Sequence, residues 1–252
     1  MYQFFTEPSN IEERLVRITG SDYNHIKNVL RLKKGEEVSV VTRGGEREYR
    51  CEIEGFDENT GTVRLSLLFI KEENVELPNR IYLFQGMPKG DKLELIVQKA
   101  VELGAFEIIP VDMKRSVVKL DEKKRVRRIE RYNAISEAAA KQAKRRIIPE
   151  VRDIMSFAEA LSYCDEKRIE KRLLPYELSD PSTMKYTRKI LSAIRPGEQT
   201  AVFIGPEGGF SDEEAELAEK SGFLRITLGR RILRTETAGM TVLSWLMYLL
   251  EE

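Results

Sequence analysis

Two loops in this chain carry residue types arranged for chemistry. In Ile204-Gly205-Pro206-Glu207-Gly208-Gly209-Phe210-Ser211, three glycines, a proline and an acid fall within five positions. Glycine lets a backbone pass close to a ligand and adopt positive φ. The helix start that follows offers free N–H groups. No Gly-Lys-Ser/Thr follows, so this is not a phosphate-binding P-loop; a plain strand-to-helix turn is the alternative. The second loop, Leu228-Gly229-Arg230-Arg231-Ile232-Leu233-Arg234-Thr235-Glu236-Thr237-Ala238-Gly239-Met240, sets three arginines around two aliphatic residues just before a helix opening on Thr and Glu. Such a loop is expected to bury Ile232 and Leu233 and leave its arginines to meet something. An adenine ring held by backbone groups and aliphatic walls would suit it; a basic surface loop capped by Thr235 is the alternative. A third stretch, Leu174-Pro175-Tyr176-Glu177, is by itself hard to tell from an ordinary strand end.

Other chemistries lack their parts. The single histidine, His25, cannot build a His-rich metal site, and no Cys/His cluster supports zinc. A Ser-His-Asp or Cys-His mechanism would have to use His25, and nothing near it resembles a nucleophile elbow. Cys51 and Cys164 lie far apart without CxxC spacing, as in a reduced cytosolic protein.

The elements that would position these loops differ between the two parts of the chain. Residues 1 to about 72 are β-rich: Arg14 to Ile18, Glu37 to Val41 and Tyr49 to Ile53 alternate polar and apolar, Gly44-Gly45 marks a turn, and Asn59-Thr60-Gly61 precedes a strand from Thr62 to Leu68. One short helix, about Tyr23 to Val29, interrupts. Short strands at this spacing suggest a small barrel. Lys71-Glu72-Glu73-Asn74 and Pro78 form a polar junction, where the domain boundary is expected. Beyond it strands and helices alternate: strands at Arg80 to Phe84, Phe106 to Val111, Arg172 to Leu174, Thr200 to Ile204 and Leu224 to Leu228, and helices at Asp91 to Leu103, Glu122 to Lys144 and about Thr237 to Leu250. Ser211 with Glu214 fits a capping box opening one more helix. This order predicts an α/β fold with a mainly parallel sheet. Ligands of such sheets sit beyond the carboxyl ends of the strands, where all three loops fall.

The 252 residues are 41% hydrophobic and 33% charged, the balance of a globular protein. No apolar run reaches the roughly 18 to 20 residues that span a bilayer. Met1 to Phe5 lacks the basic and apolar regions of a signal peptide, so a cytoplasmic protein without membrane attachment is expected. Net charge is zero, yet Lys114 to Arg146 holds thirteen basic side chains against four acidic ones, a local balance of +9. That stretch could attract a polyanion or form a solvated helix face.

The pair of loops, in this order, resembles the signature of the RsmE family, the 16S rRNA (uracil-N3)-methyltransferases. Lys89-Gly90-Asp91-Lys92, Gln98 to Gly104, Arg115-Ser116, Pro149-Glu150-Val151 and, near the N-terminus, His25 to Gly35 also resemble it, so the likeness covers nearly the whole chain. Two places depart: Gln3 stands where the family has Arg, and Lys141 to Arg145 keeps only Gln142 and Arg145 of a family stretch.

The resemblance implies a PUA-like β-barrel over 1–72, binding RNA, and over 73–252 a SPOUT α/β domain with a deep trefoil knot. It implies a homodimer acting on 16S rRNA or the assembled small subunit, with S-adenosyl-L-methionine (SAM) as methyl donor, S-adenosylhomocysteine (SAH) as product and no metal. Ile204, Gly205, Pro206, Glu207, Gly208 and Gly209 would wall the SAM pocket. Leu228, Gly229, Arg231, Ile232, Leu233, Thr237 and Ala238 would supply backbone and aliphatic contacts, and Leu174, Pro175, Tyr176 and Glu177 would line the far side. Uracil N3 must lose a proton, and the charge that spreads to O2 and O4 must be stabilised. Arg234 suits that task, because a guanidinium stays charged and offers donors in a fixed fork. Glu236 or Glu207 would orient Arg234 or accept the proton. Phosphate contacts would come from Arg17, His25, Asn28, Arg31 and Lys33 on the barrel, although His25 suits packing better than base reading. In the basic segment they would come from Arg115, Lys123, Lys124, Arg127, Arg128, Arg131 and Arg145. The target uracil would have to leave its stack to react. Two rivals stand beside this reading. A SPOUT 2′-O-ribose methyltransferase would open its last helix on a Ser-Leu-Asn-Val-Ser-like stretch, where this chain has Arg234 to Gly239. A non-catalytic RNA-binding ribosome-assembly factor would have a degenerate pocket, whereas both loops here are intact.

Overall fold

Period-two alternation builds the N-terminal part of the chain. In the computed structural model, which describes residues 1–42, 45, 47–72, 75–117, 121–176 and 184–251, the chain divides into two compact units: residues 1–76 with 140–148, and residues 77–139 with 149–252. The first holds β1 (Gln3–Thr6), β2 (Ile11–Glu12), β3 (Leu15–Ile18), α1 (Ser21–Asn24), β4 (Glu37–Thr42), β5 (Glu48–Asp57) and β6 (Thr62–Lys71). They form one sheet in the order β1-β4-β5-β6-β3-β2. Val38, Val40, Cys51, Ile53, Val63 and Leu65 alternate along their strands and meet in one core with Phe4, Val16, Ile18 and Ile26.

The sequence pattern does not reveal β1. Gln3-Phe4-Phe5-Thr6 shows no alternation because all four side chains are buried, and it pairs parallel with β4, a partner some 35 positions along the chain. Residues 140–148 also belong to this unit, although a single boundary after residue 72 assigns them to the second domain. Gln3, which departs from the family pattern, meets that stretch at a residue that keeps it: Gln3 Nε2 donates to the Arg145 carbonyl at 2.6 Å.

The second unit alternates strand and helix as expected: β7 (Ile81–Gly86), α2 (Lys92–Glu102), β8 (Glu107–Asp112), α3 (Glu122–Gln142, its last three residues counted with the first unit), β9 (Glu150–Val151), β10 (Met155–Ser156), α4 (Phe157–Glu166), β11 (Lys171–Pro175), α5 (Met184–Leu191), β12 (Thr200–Ile204), α6 (Asp212–Lys220), β13 (Leu224–Ile226) and α7 (Thr235–Leu250). Every pairing in its sheet is parallel, in the order β10-β8-β7-β12-β11-β13, with β9 on β8. α2 buries Leu93, Ile96, Val97, Ala100 and Val101, the stripe its spacing predicts, and Gly104 ends it at φ 87°. The Ser211–Glu214 capping box opens α6: Glu214 N–H donates to Ser211 Oγ at 3.3 Å, and Ser211 N–H donates to Glu214 Oε2 at 2.9 Å. At the centre the Phe203 ring meets Phe84, Phe157, Phe210 and Phe223 at centroid distances of 5.1 to 5.8 Å.

Strand order decides where the loops go. β12 lies between β7 and β11, and β13 lies beyond β11. Because the pairs are parallel, the carboxyl ends of β7, β12, β11 and β13 stand side by side on one edge. No helix among the described residues is long and apolar enough to cross a membrane.

Candidate functional site

The loops after β11, β12 and β13 and the start of α7 enclose a cavity of about 440 Å³, within the usual size range of small-molecule sites. The loop after β12 is bent tightly enough that a side chain at Gly205 would crowd it. A Cβ on Gly205 would stand 3.2 Å from the Gly209 Cα and from the Phe210 ring. Gly209 turns at φ 66° and its N–H donates to the Pro206 carbonyl at 2.9 Å. After β13, Gly229 adopts φ 109°, which favours glycine. Its N–H donates to Thr227 Oγ1 at 3.2 Å, while Thr227 N–H donates to Thr187 Oγ1 of α5 at 3.1 Å.

A buried hydrogen-bond chain ties these pieces together. Gln85 Nε2, at the end of β7, donates to Thr235 Oγ1 at 2.8 Å, and Thr235 Oγ1 donates to the Gly205 carbonyl at 2.7 Å. Arg115 Nη1 holds the same loop from outside by donating to the Gly208 carbonyl at 2.9 Å.

Charge gathers on the wall. Glu207 Oε1 accepts from Lys92 Nζ at 2.7 Å, and its two oxygens accept from the Lys89 N–H at 3.1 and 3.2 Å. Burial opposes the Glu207 charge, but Lys92 and the backbone N–H groups outweigh it and hold the carboxyl below its ordinary range. The Glu207 hydrogen bond in turn raises Lys92. Arg234 caps α7 and faces the cavity. Among the described residues its guanidinium makes no hydrogen bond or ion pair.

Known proteins share this arrangement along the whole chain. Residues 75–247 match the family model of the RNA methyltransferase domain, and residues 18–66 match that of the RNA methyltransferase PUA domain. The ribosomal RNA small subunit methyltransferase E of Bacillus subtilis is 37% identical over 254 residues, covering 98% of this chain and 96% of that protein. The chain belongs to the ribosomal RNA small subunit methyltransferase E family. The family member from Neisseria gonorrhoeae, solved with S-adenosyl methionine bound, superposes with a TM-score of 0.83 at 28% identity, over 99% of this chain and 98% of that one. A Legionella pneumophila methyltransferase solved with SAM gives the same TM-score at 31% identity, over 98% and 97%. The first unit is thus the PUA-like, curled sheet of the family, and the second its parallel-sheet methyltransferase domain.

Most family-derived positions converge on the cavity. Pro175 and Tyr176 line it from β11; Ile204, Gly205, Pro206, Glu207 and Gly209 line it from β12; Leu228, Gly229, Arg231, Ile232, Leu233, Arg234 and Ala238 line it from the third loop. Leu174 and Gly208 do not. Leu174 is fully buried in the core, and Gly208 faces Arg115. Thr237 is exposed and off the wall, and Glu177 lies outside the described residues. Ile232 is 82% exposed rather than buried: the segment from 228 to 234 has no regular structure, and no described residue covers it. Glu236 is not on the wall either. Successive helix residues point about 100° apart, so the neighbour of the wall residue Thr235 turns away. Its Oε2 is buried, accepts no hydrogen bond among the described residues, and lies 3.7 Å from Lys92 Nζ. Lys92, Phe210, Thr227, Arg230 and Thr235 also line the cavity. Phe210, Arg230 and Thr235 fall within the two loops singled out from the sequence and Lys92 within the family-like Lys89 to Lys92 stretch; only Thr227 carried no signal.

The RNA-contact positions divide by what their charges already do. Arg17 forms a two-point pair with Glu12 at 2.9 and 3.0 Å, and Asn28 donates to Asn24 at 2.6 Å. His25 sits edge-on to Phe4 at 6.3 Å. Arg31, at φ 54°, and Lys33 are exposed. On α3, Lys124 pairs with Asp121 and Arg131 with Glu94, at 3.1 and 2.7 Å; Arg128 is half-buried, while Lys123 and Arg127 point to solvent. Arg145 does not present its charge at all. It is 5% exposed, with Nε donating to Glu76 at 3.0 Å. The same carboxylate accepts the Arg146 N–H at 2.8 Å, so Arg145 serves the packing of its unit.

Proposed function

We propose that this chain, a SAM-dependent methyltransferase of ribosomal RNA, transfers a methyl group to N3 of a uridine in 16S rRNA and releases SAH. The observation that carries this reading is a glycine-bent cavity at the carboxyl ends of β11, β12 and β13, with the guanidinium of Arg234, unpaired among the described residues, on its wall. The cavity suits the donor chemically: Leu228, Leu233 and Ala238 offer aliphatic walls to an adenine, the bared backbone at Gly205, Gly209 and Gly229 offers hydrogen bonds, and Arg230 and Arg231 offer partners to the carboxylate of the amino-acid end. When bound, SAM supplies an electrophilic methyl group on a sulfonium.

The rest is done by this chain and the uracil. Arg234 meets O2 or O4 and stabilises the negative charge as N3 loses its proton, a role in which preorganised donors count most. The positive end of the 16-residue helix α7 adds to that field. Neither carboxylate is set up as a strong base. Glu207 is tied by three hydrogen bonds, and Glu236 is off the wall. The proton therefore passes to water, and Glu236 acts as an orienting group through Lys92. Holding N3 in line with the methyl group supplies much of the remaining acceleration. The loops after β11, β12 and β13 are the segments that would form the trefoil knot, and we place the enzyme in the cytoplasm as a homodimer acting on 16S rRNA or the small subunit.

Nucleoside mass spectrometry of small-subunit rRNA tests the reading. Cells lacking the gene should lose 3-methyluridine. Retained 3-methyluridine, or loss of a 2′-O-methylated nucleoside instead, would refute it, and calorimetry with SAH would expose a chain that binds no cofactor.

RNA affinity is assigned to the solvent-facing charges of α3. The double change Lys123→Glu and Arg127→Glu should weaken rRNA binding and lower the slope of log K against log salt by about 1.5, at roughly 0.7–0.9 for each phosphate no longer neutralised. SAH affinity should not change. An unaltered slope would place the RNA path on another face.

A further inference from the structure

Lys92 stands where helix electrostatics disfavour it. It is the first residue of the 11-residue helix α2, and a cation near a helix N-terminus faces the positive end of the dipole. Its position calls for a reason outside the helix, and the cavity wall supplies one. Lys92 Nζ reaches Glu207 Oε1 at 2.7 Å and Glu236 Oε2 at 3.7 Å. The Glu207 hydrogen bond and the charges of both carboxylates favour its protonated form, while burial and the nearby positive charge of Arg234 oppose it. Lys92, Glu207 and Arg234 line the same cavity and Glu236 lies two residues beyond Arg234, yet both carboxylates reach the lysine. Arg234, the better partner for a carboxylate because its fork can bind two oxygens at once, is left without an ion pair among the described residues.

Arg234, like Arg230 and Arg231 on the same wall, makes no ion pair among the described residues, and a guanidinium free of carboxylates is what the reaction needs. Without Lys92, Glu207 or Glu236 would gain by closing on Arg234, and a guanidinium engaged by a carboxylate cannot stabilise charge on uracil. We propose that Lys92 is a positioning residue for methyl transfer: it holds Glu207 and Glu236 so that Arg234 stays unpaired for the substrate. This rests on the reading of Arg234 as the group that meets the uracil.

The test uses the full-length protein, with kcat and KM for small-subunit rRNA and calorimetric SAH binding measured for Lys92→Met, Lys92→Arg, the double variant Lys92→Met with Glu207→Gln, and Arg234→Ala. Lys92→Met should lower kcat about 10- to 100-fold, the scale of one interaction with a charged group. KM and SAH affinity should stay within about threefold, because the loss is confined to the transition state. Lys92→Arg should recover most of the rate. The double variant should be faster than Lys92→Met alone, because a carboxylate that competes for Arg234 is gone; a purely structural lysine would not show that recovery. Lys92→Gln serves in place of Lys92→Met should the latter not fold.

Three results would overturn the proposal: wild-type kcat in Lys92→Met, loss of SAH binding in that variant, or a double variant no faster than the single one. If Arg234→Ala is inactive in each case, the reading of Arg234 survives. An active Arg234→Ala would instead remove that reading, and the proposal with it.

Discussion

Replacing Arg234 with alanine should slow methyl transfer about 100- to 1,000-fold, the range measured when one preorganised donor is removed from a developing negative charge, while SAH affinity changes little. The separation follows from the geometry. Arg234 makes no hydrogen bond or ion pair among the described residues, so its removal breaks no interaction that shapes the cavity. As the N-cap of α7 it contributes backbone rather than side chain: no side-chain cap is present, and the Ala238 N–H donates to its carbonyl at 2.8 Å, a bond that alanine retains. Single-turnover rates with saturating SAM and rRNA isolate the chemical step. Turnover within a few-fold of wild type would remove Arg234 from the reaction and with it the account of how N3 is deprotonated.

Gly86→Ala should damage cofactor binding although Gly86 itself is not on the cavity wall. Gly86 ends β7, next to β12 in the sheet, and a Cβ there would fall 2.5 Å from Pro206 Cδ, 2.6 Å from Pro206 N and 2.7 Å from Met113 Sδ. Met113 could swing aside, but the Pro206 nitrogen is backbone in the middle of the glycine-rich loop. The loop must therefore shift, and its hydrogen bond from Thr235 to the Gly205 carbonyl shifts with it. We expect a loss of about 1–3 kcal/mol in stability, as for other overpacked sites, and SAH binding at least tenfold weaker. Thermal melting and calorimetry read the two effects. Gly55→Ala, where the nearest atom to a new Cβ is an Arg64 nitrogen at 3.7 Å, is the control that should leave both unchanged. Wild-type SAH affinity in Gly86→Ala would show that the loop does not depend on this close approach.

What was legible in the sequence shares one physical property: it is local. The α2 stripe, the capping box of α6, the strands from β3 to β8 and the bend of the Gly205 to Gly209 loop all depend on residues a few positions apart, whose spacing and backbone freedom act before any long-range contact forms. Hence the α/β class, the two-part organisation and the loops that line the cavity could be read directly, and the likeness to the RNA methyltransferase family added the chemistry.

Only the tertiary structure decided which side chains those loops would face. Parallel pairing sets β12 between β7 and β11, strands joined by no short turn, and that order carries Lys92 and Gln85 to loops more than a hundred residues away in sequence. No periodicity encodes such a meeting. The same holds for β1, whose four buried residues show no alternation, and for Arg145, which reads as one more cation in a basic run but is buried against Glu76. A charge in a sequence has a sign but no partner. Whether it binds RNA, holds its own unit together or stays free for a substrate is fixed by the carboxylates that folding places beside it.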